Sequence, residues 1–259
     1  MQETLAPRIG CVKYINALPL ARGWPGAIQF DHPSALCQRL AAGDLDVALV
    51  SSFEYLRNPI YSIVDNVAIA SDGPVYSVFV AHQPGATFTE IELDSASTTG
   101  VSLWRCLQRL RHEQSIECAV PLDNLSALQP GRARLLIGDQ AIRFRQRFGE
   151  TYFYRDLGQE WRAETGLPFV YALWLIRPEV KEPERIADLL RSIRDRNLAH
   201  FDELIVEQKE FDAAFCAYYY RDCLQFHFGE RERAGLRFFR ELCAKYAILE
   251  PGDCDPRVV

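Results

Sequence analysis

Short apolar runs that end in polar, helix-starting residues recur along the chain, and each predicts a strand followed at once by a helix. The first lies in residues 8–20, where an apolar run around Cys11 is too short for a helix. Asn16 and Pro19 follow it, and both residue types are favoured where a helix begins. In an open α/β sheet such strand-to-helix junctions line the crevice in which ligands bind.

Three further junctions follow the same pattern, after apolar runs at 47–50, before a helix at 101–111, and after 135–137. Their turn residues are Ser51 and Ser52 at the second, Ser97, Thr98 and Thr99 at the third, and Gly138 and Asp139 at the fourth. Spacing alone favours helix caps at Asn16, Ser51, Ser52 and Asp139. The third junction has more hydroxyls than a cap requires, beside the free N–H groups of a helix start, and this predicts a site for a carboxylate or phosphate.

The remaining pattern predicts two lobes. Residues 60–70 and 75–81 read as strands, with Ser77 in mid-strand, and 85–94 reads as a connection. The nearly unbroken apolar run 168–176 predicts a strand buried on both faces, as in the interior of a parallel sheet. Helical periodicity marks 183–199, 201–228 and 230–246, with the aromatic-rich part of the second assigned to packing. We therefore expect residues 1–81 and 175–259 in the first lobe, 82–174 in the second, and a ligand cleft between them.

Composition excludes several classes of protein. The chain has 259 residues, 48% of them hydrophobic and 25% charged, with a formal net charge of −6. The absence of a Lys/Arg run argues against nucleic-acid binding. No apolar stretch approaches the roughly 18 residues that a membrane span needs. The first residues, MQETLAPRIG, lack the features of a secretory signal, so we expect a cytoplasmic protein without membrane attachment.

Neither the cysteines nor the histidines form a recognisable metal site. The eight cysteines show no CxxC pair, and in a chain of this class they are expected to be buried reduced thiols. The five histidines show no paired metal spacing, and a structural role is expected for each. The sequence therefore predicts no metal and no cofactor.

Five motifs together resemble the chorismate dehydratase family of futalosine-route menaquinone biosynthesis. They are RIGCVKYINALPL (8–20), ALVSSFEYLRNP (48–59), SDGPVYSVFV (71–80), LLIGDQA (135–141) and DLGQEWRAETGLPFVYALW (156–174). The resemblance implies an α/β, two-lobed, type II periplasmic-binding-protein-like fold with the ligand cleft between its lobes. It also implies a carbon–oxygen lyase that converts chorismate into 3-[(1-carboxyvinyl)oxy]benzoate and water without a cofactor. The expected partner is thus a small diacid substrate, with no nucleic acid and no membrane, and a homodimer is left open.

The resemblance suggests roles for the junction residues. No His or Glu lies within the junction motifs to act as base, so the substrate's own enolpyruvyl carboxylate is expected to take the proton. The residues expected to act in catalysis are Asn16 and Ser77. The residues expected to bind substrate are Ser51, Ser52, Ser97, Thr98, Thr99, Gly138 and Asp139.

The third junction departs from the family pattern. Family members often read Ser-Arg-Thr-Ser there, whereas this chain reads Ser-Thr-Thr-Gly at 97–100, without the cationic side chain. Weaker affinity, compensation by another arginine and a different ligand all remain open. Two other functions also remain open: a dihydroxynaphthoate synthase of the same pathway, and a non-catalytic cytoplasmic protein that binds or senses an aromatic-pathway acid.

Overall fold

The computed structural model describes residues 6–94, 97–120, 125–252 and 255–259. Within these ranges the strands are β1 (Ile9–Val12), β2 (Ile28–Asp31), β3 (Val47–Ser51), β4 (Ser62–Ser71), β5 (Val78–His82), β6 (Glu90–Asp94), β7 (Ile116–Val120), β8 (Arg132–Ile137), β9 (Phe153–Asp156) and β10 (Phe169–Ile176). The helices are α1 (Leu18–Ala21), α2 (Pro33–Ala42), α3 (Ser52–Arg57), α4 (Thr98–Leu110), α5 (Gly138–Phe148), α6 (Leu157–Thr165), α7 (Pro183–Ala199), α8 (Phe201–Glu207), α9 (Ala213–Tyr218) and α10 (Glu230–Lys245). Two 3₁₀ turns (Ile15–Ala17 and Gly149–Thr151) and a π-helical turn (Tyr219–Cys223) complete the chain.

The strands form two five-stranded sheets with mixed directions. The first has the order β2-β1-β3-β10-β4, with β1 parallel to β2 and β3, and with β10 antiparallel to β3 and β4. The second has the order β7-β6-β8-β5-β9, with β6 parallel to its neighbours and β5 antiparallel to β8 and β9. Helices cover both sheets, so the chain has the two-sheet α/β architecture that the junctions predicted.

Strand β10 confirms the predicted burial and corrects the predicted direction. Seven of its eight residues are buried, with Tyr171 the exception. Its pairing, however, is antiparallel on both sides, so the expectation of a parallel interior was wrong. A continuous apolar run indicates that both faces of a strand are covered, and here helices α3 and α10 contact the strand. It carries no information about strand direction, which is set by where the chain enters the sheet.

Several strands were not predicted from the sequence pattern. Residues 85–94 were predicted as a connection, but β6 occupies 90–94 with alternating Glu and apolar residues. The central Glu92 is buried against Arg134, with Oε2 2.5 Å from the guanidinium Nε. The centre of β6 is therefore occupied by a buried ion pair, and not by the apolar residue from which a buried strand is usually predicted. Strands β2, β7 and β9 were also missed, and the periodic stretch 201–228 is divided into α8, α9 and the π-helical turn.

The sheets change over between β4 and β5 and between β9 and β10. Strand β5 lies in the second sheet and β10 returns to the first, so the chain crosses between the sheets just before each of the predicted strands 75–81 and 168–176. Ser77 is not in mid-strand, as predicted, but directly precedes β5. The lobe boundaries at residues 81 and 174 stay a prediction.

The cysteines described are free thiols. Six are buried (Cys11, Cys37, Cys106, Cys216, Cys223 and Cys243), Cys118 is half-buried, and Cys254 lies outside the described residues. In the described ranges, no helix combines the length and the apolar character that a bilayer span demands.

Helix α10 approaches the segment before β10 so closely that a glycine is required. A Cβ at Gly235 would overlap the backbone carbonyl oxygen of Pro168. Because backbone atoms cannot rotate away, the overlap can be relieved only by moving the helix off the first sheet. Gly235 thus allows a contact between helix and strand, although glycine in a helix interior ordinarily costs about 0.5–1 kcal/mol relative to alanine.

We predict that Gly235→Ala lowers the free energy of unfolding by about 1–3 kcal/mol, because the steric overlap outweighs the gain in helix propensity. Denaturant unfolding followed by circular dichroism measures it. Arg237→Ala, which places alanine at an exposed site of the same helix, is the matched control and should stay within about 0.5 kcal/mol of the parent. A stabilised Gly235→Ala protein would contradict the close contact.

Candidate functional site

A cleft of about 650 Å³, its mouth included, lies where the four predicted junctions meet. Seven of the nine residues singled out from the sequence line it: Asn16, Ser51, Ser77, Ser97, Thr98, Thr99 and Gly138. The other lining residues are mostly apolar or aromatic. The first and fourth junctions, more than a hundred residues apart in sequence, therefore face the same cleft.

The structure places Ser52 and Asp139 behind the cleft wall. Ser52 is fully buried and its hydroxyl donates to the Val170 carbonyl at 2.7 Å, which joins the start of α3 to β10. Asp139 was predicted as the N-cap of α5, but the N-cap position belongs to Ile137. The Asp139 carboxylate instead accepts a 3.0 Å hydrogen bond from the backbone N–H of Ile15.

The backbone of Ile15 is held at both of its polar groups. Asp139 accepts from its N–H, and the Tyr220 hydroxyl donates to its carbonyl oxygen at 3.0 Å. Asn16 is the next residue and lies inside the 3₁₀ turn, so the prediction that it caps a helix was wrong. The two bonds fix the direction of the turn and leave the Asn16 amide facing the cleft.

Thr99 links the second and third junctions. Its hydroxyl is hydrogen-bonded to the Ser51 hydroxyl and also accepts from the Phe53 N–H at 3.4 Å. Ser51 occupies the N-cap position of α3 but makes no capping bond with its side chain. The end of β3 is therefore tied to the start of α4, which closes one side of the cleft.

Two polar atoms in the cleft are buried without a hydrogen-bond partner among the described residues: Oγ of Ser97 and Oδ1 of Asn16. Ser97 stands at the N-cap of α4 but makes no capping bond. A Cβ at Gly100 would lie 2.6 Å from the Ser97 Oγ, so the glycine keeps space beside that hydroxyl. Buried polar atoms are nearly always paired, and these two face a cleft in which a ligand could pair with them.

Tyr219 was missed by the sequence reasoning. Its hydroxyl lies 2.6 Å from the Ser77 Oγ, and both side chains are buried. The residue comes from the aromatic-rich stretch that was assigned to packing. Nothing in its local pattern marks it, since a tyrosine on an apolar helix face is usually core. Unlike Tyr219, Tyr14 and Tyr171 line the cleft, and they were missed because they fall in or next to apolar runs that predict strands.

The cleft lining holds no Lys, Arg or His among the residues that the structure describes. An arginine that replaces the missing cation of the third junction is therefore not part of this lining. The described residues also contain no group of three His, Cys, Asp or Glu side chains able to hold a metal ion. Hydroxyls, one amide and the first N–H groups of α4, which have no acceptor within the helix, supply the polarity of the cleft.

A model of the menaquinone biosynthesis family matches residues 7–245. The chain belongs to this family. A curated relative, the chorismate dehydratase of Thermus thermophilus, is 27% identical over 263 residues, which cover 90% of this chain and 93% of the relative.

Solved structures support the fold assigned to this family member. Protein AF1704 from Archaeoglobus fulgidus superimposes with a TM-score of 0.72 at 17% identity, over 94% of this chain and 98% of that protein. The periplasmic aliphatic sulphonate binding protein SsuA from Escherichia coli gives a TM-score of 0.63 at 13% identity, over 95% and 88% of the two chains. The periplasmic-binding-protein-like fold expected from the motifs is thereby confirmed.

Asp139 is the most perturbed carboxyl group beside the cleft of this menaquinone biosynthesis family member. Burial raises its pKa to about 6, against the lowering effects of the Ile15 hydrogen bond and of Arg143. Folded Asp139 therefore holds its proton more tightly than the unfolded chain does. Its contribution to the free energy of unfolding falls as pH rises from about 4 to about 6 and is constant above that range.

We predict that Asp139→Asn, which keeps an acceptor for the Ile15 N–H but carries no charge, removes this pH dependence. Relative to the parent, the variant should gain about 2 kcal/mol in free energy of unfolding between about pH 4.5 and about pH 7.5. Denaturant unfolding at both pH values measures the change. Asp44→Asn, at an exposed carboxylate, serves as control, and a gain for Asp139→Asn that is equal at both pH values would refute the assignment.

Proposed function

We propose that this chain is a chorismate dehydratase, which converts chorismate into 3-[(1-carboxyvinyl)oxy]benzoate and water. The observation that carries the proposal is the pair of unpartnered polar atoms, Ser97 Oγ and Asn16 Oδ1, in an otherwise largely apolar cleft. The related dehydratase of Thermus thermophilus supports the choice of substrate. A six-membered ring with polar substituents suits a cleft with this mixture of apolar, hydroxyl and amide lining.

The start of α4 suits one carboxylate of the substrate. This helix has 13 residues, and its first N–H groups point along the axis towards the cleft rim beside Ser97 and Thr98. A helix N-terminus attracts negative charge, and a hydroxyl at the same place adds a further donor. Neutral donors are sufficient because water is largely excluded from an apolar cleft, where each hydrogen bond to a charged group is strengthened.

The elimination needs positioning more than reactive side chains. The proton leaves the ring carbon that bears the enolpyruvyl ether, its electron pair forms the new ring double bond, and the neighbouring carbon–oxygen bond breaks. The enolpyruvyl carboxylate takes the proton and passes it to the departing hydroxide, so that water leaves and the carboxylate is restored. Donors on the ring carboxylate stabilise the negative charge as it develops. The product is aromatic, so the step is strongly downhill.

In this scheme Asn16 and Ser77 contact the reacting part of the substrate, and Ser97, Thr98 and Thr99 surround a carboxylate. Ser51 and Gly138 complete the wall. Gly138 has φ of +59°, and a Cβ there would stand 3.0 Å from the Tyr14 ring. A larger residue would therefore push the Tyr14 ring and disturb the cleft wall. Ser52 and Asp139 support the wall from behind and do not touch the substrate.

We predict that the purified protein converts chorismate into an aromatic product without added cofactor. The ultraviolet spectrum of the product and its mass, lower than that of chorismate by one water, are the measurements. Chorismate that raises the melting temperature without being consumed would contradict the dehydratase and support a non-catalytic binding protein.

We predict that Asn16→Asp lowers kcat/KM for chorismate by at least about 10-fold, because it places a negative charge beside a doubly charged substrate at almost unchanged volume. Steady-state kinetics under identical salt and pH measure the loss. Asn66→Asp adds the same charge at an exposed position and should leave the kinetics unaltered. Unchanged turnover in Asn16→Asp would remove Asn16 from the mechanism.

A further inference from the structure

We propose that Tyr219 is a positioning residue that sets the direction of the hydrogen bonds in the cleft. It donates to Ser77, so that the Ser77 hydroxyl hydrogen and the Asn16 Oδ1 both face the substrate. Together these two groups recognise the hydroxyl that leaves during the elimination. The inference rests on the proposed dehydratase function and deepens it by assigning one substrate group to one part of the cleft.

The contact between Tyr219 and Ser77 is short and dry. Their hydroxyl oxygens lie 2.6 Å apart, and the two side chains are 0% and 1% exposed. Each oxygen could in principle donate, and the two directions present different groups to the cleft. If Ser77 donates, it has no hydrogen left for a ligand. If Tyr219 donates, the Ser77 hydrogen remains available.

The hydrogen bonds of Tyr219 decide between these directions. A Tyr219 hydroxyl that accepted from Ser77 would need another acceptor for its own hydrogen. Among the described residues, however, Ser77 is the one hydrogen-bond partner of this hydroxyl. A buried hydroxyl hydrogen without an acceptor costs about 1–3 kcal/mol, so Tyr219 donates to Ser77.

Burial raises the pKa of the Tyr219 phenol far above its usual value, so the hydroxyl keeps its proton at all working pH values and is able to donate. Asn16 Oδ1 has no hydrogen-bond partner among the described residues, and Asn16 lines the cleft, so this oxygen is available as an acceptor.

The cleft thus presents one donor and one acceptor side by side. A carboxylate has only acceptor oxygens and would leave Asn16 Oδ1 without a hydrogen, at a cost in desolvation. A hydroxyl accepts from Ser77 and donates to Asn16 at once. The carboxylates of the diacid belong elsewhere, one of them at the start of α4, and the hydroxyl of chorismate fits between Asn16 and Ser77.

Tyr219 is itself held rigidly. It is the first residue of the π-helical turn, a feature that often marks functional sites. Its ring stacks on Phe215, with the centroids 5.6 Å apart and the planes 12° from parallel. The next residue, Tyr220, holds the carbonyl of Ile15. One turn of the chain therefore fixes both the backbone before Asn16 and the hydroxyl behind Ser77.

Two ligands test the assignment in the full chain. The first is chorismate, followed by kcat/KM. The second is the chorismate analogue that lacks the departing hydroxyl, followed by its inhibition constant. Tyr219→Phe should lower kcat/KM for chorismate about 10-fold and change the inhibition constant of the analogue by less than about 2-fold. A collapse of the site would weaken both ligands, and equal weakening would overturn the proposal.

A double-mutant cycle tests the path through Ser77. In a Ser77→Ala background, Tyr219→Phe should cost less than about 2-fold, because the hydroxyl that it orients is already gone. Additive losses would overturn the proposal. Tyr154→Phe, which removes a tyrosine hydroxyl bonded to the Gly149 carbonyl outside the cleft lining, is the control and should match the parent.

The proposal remains testable if Tyr219→Phe does not fold. Ser77→Ala alone should then show the same split, with a loss on chorismate and an unchanged inhibition constant for the analogue. Equal losses on both ligands would overturn the assignment of the hydroxyl. If the parent protein fails to consume chorismate, the proposed function fails. If the parent consumes it and the split is absent, only this inference fails.

Discussion

The polar part of the cleft depends on the two hydrogen bonds that hold Ile15. Asp139 accepts from its N–H and Tyr220 donates to its carbonyl, and these partners come from segments more than a hundred residues away along the chain. A four-residue strand followed by a 3₁₀ turn has little local stability of its own. The distant partners determine where Asn16 points. The site is thus a property of the assembled sheets and cannot form before both are in place.

The same interaction explains why a carboxylate is buried at this position. Asp139 is 5% exposed, and burial of a charge is costly unless hydrogen bonds compensate. A backbone N–H is a donor that cannot be lost by titration, so it is a dependable partner. The remaining cost appears as the raised pKa of the carboxyl group. The ionised Asp139 thus lowers the free energy of unfolding, but its hydrogen bond fixes the geometry of the neighbouring turn.

The polar groups that line the cleft are neutral. Its polar lining consists of hydroxyls, an amide and backbone N–H groups, arranged between apolar side chains such as Ile69 and Val78. Such groups distinguish donors from acceptors by direction, whereas a lysine would attract any anion. In the proposed function, this directionality lets one part of the cleft bind a carboxylate and another bind a hydroxyl on the same small molecule.

The sequence predicted the parts of the site that follow from local pattern. Apolar runs that end in Ser51, Thr99 and Gly138 marked the junctions, and the structure brings those residues to one cleft. The sequence could not predict which of these hydroxyls form hydrogen bonds within the protein and which remain available to a ligand. Thr99 is hydrogen-bonded to Ser51 and Ser52 to Val170, while Ser97 Oγ has no partner among the residues that the structure describes, and only the packing of separate elements decides this.

Other failures have equally physical causes. Helix-cap statistics misplaced Asn16 and Asp139 because their partners are tertiary rather than local. The charged strand β6 was hidden because an ion pair replaces its apolar centre. Tyr219 was hidden because a tyrosine that faces a cleft and one that fills a core have the same sequence pattern. Direction of strand pairing, as for β10, is set by topology and leaves no trace in a run of apolar residues.

The central claim is that the four junctions form one prearranged site for a diacid. A crystal structure of the protein with 3-[(1-carboxyvinyl)oxy]benzoate tests it most directly. The account predicts one carboxylate within hydrogen-bond distance of Ser97 Oγ and the first N–H groups of α4, with the bond from Ile15 to Asp139 unbroken. A ligand bound away from Ser97 and Asn16, or an Asp139 side chain turned away from Ile15, would contradict it.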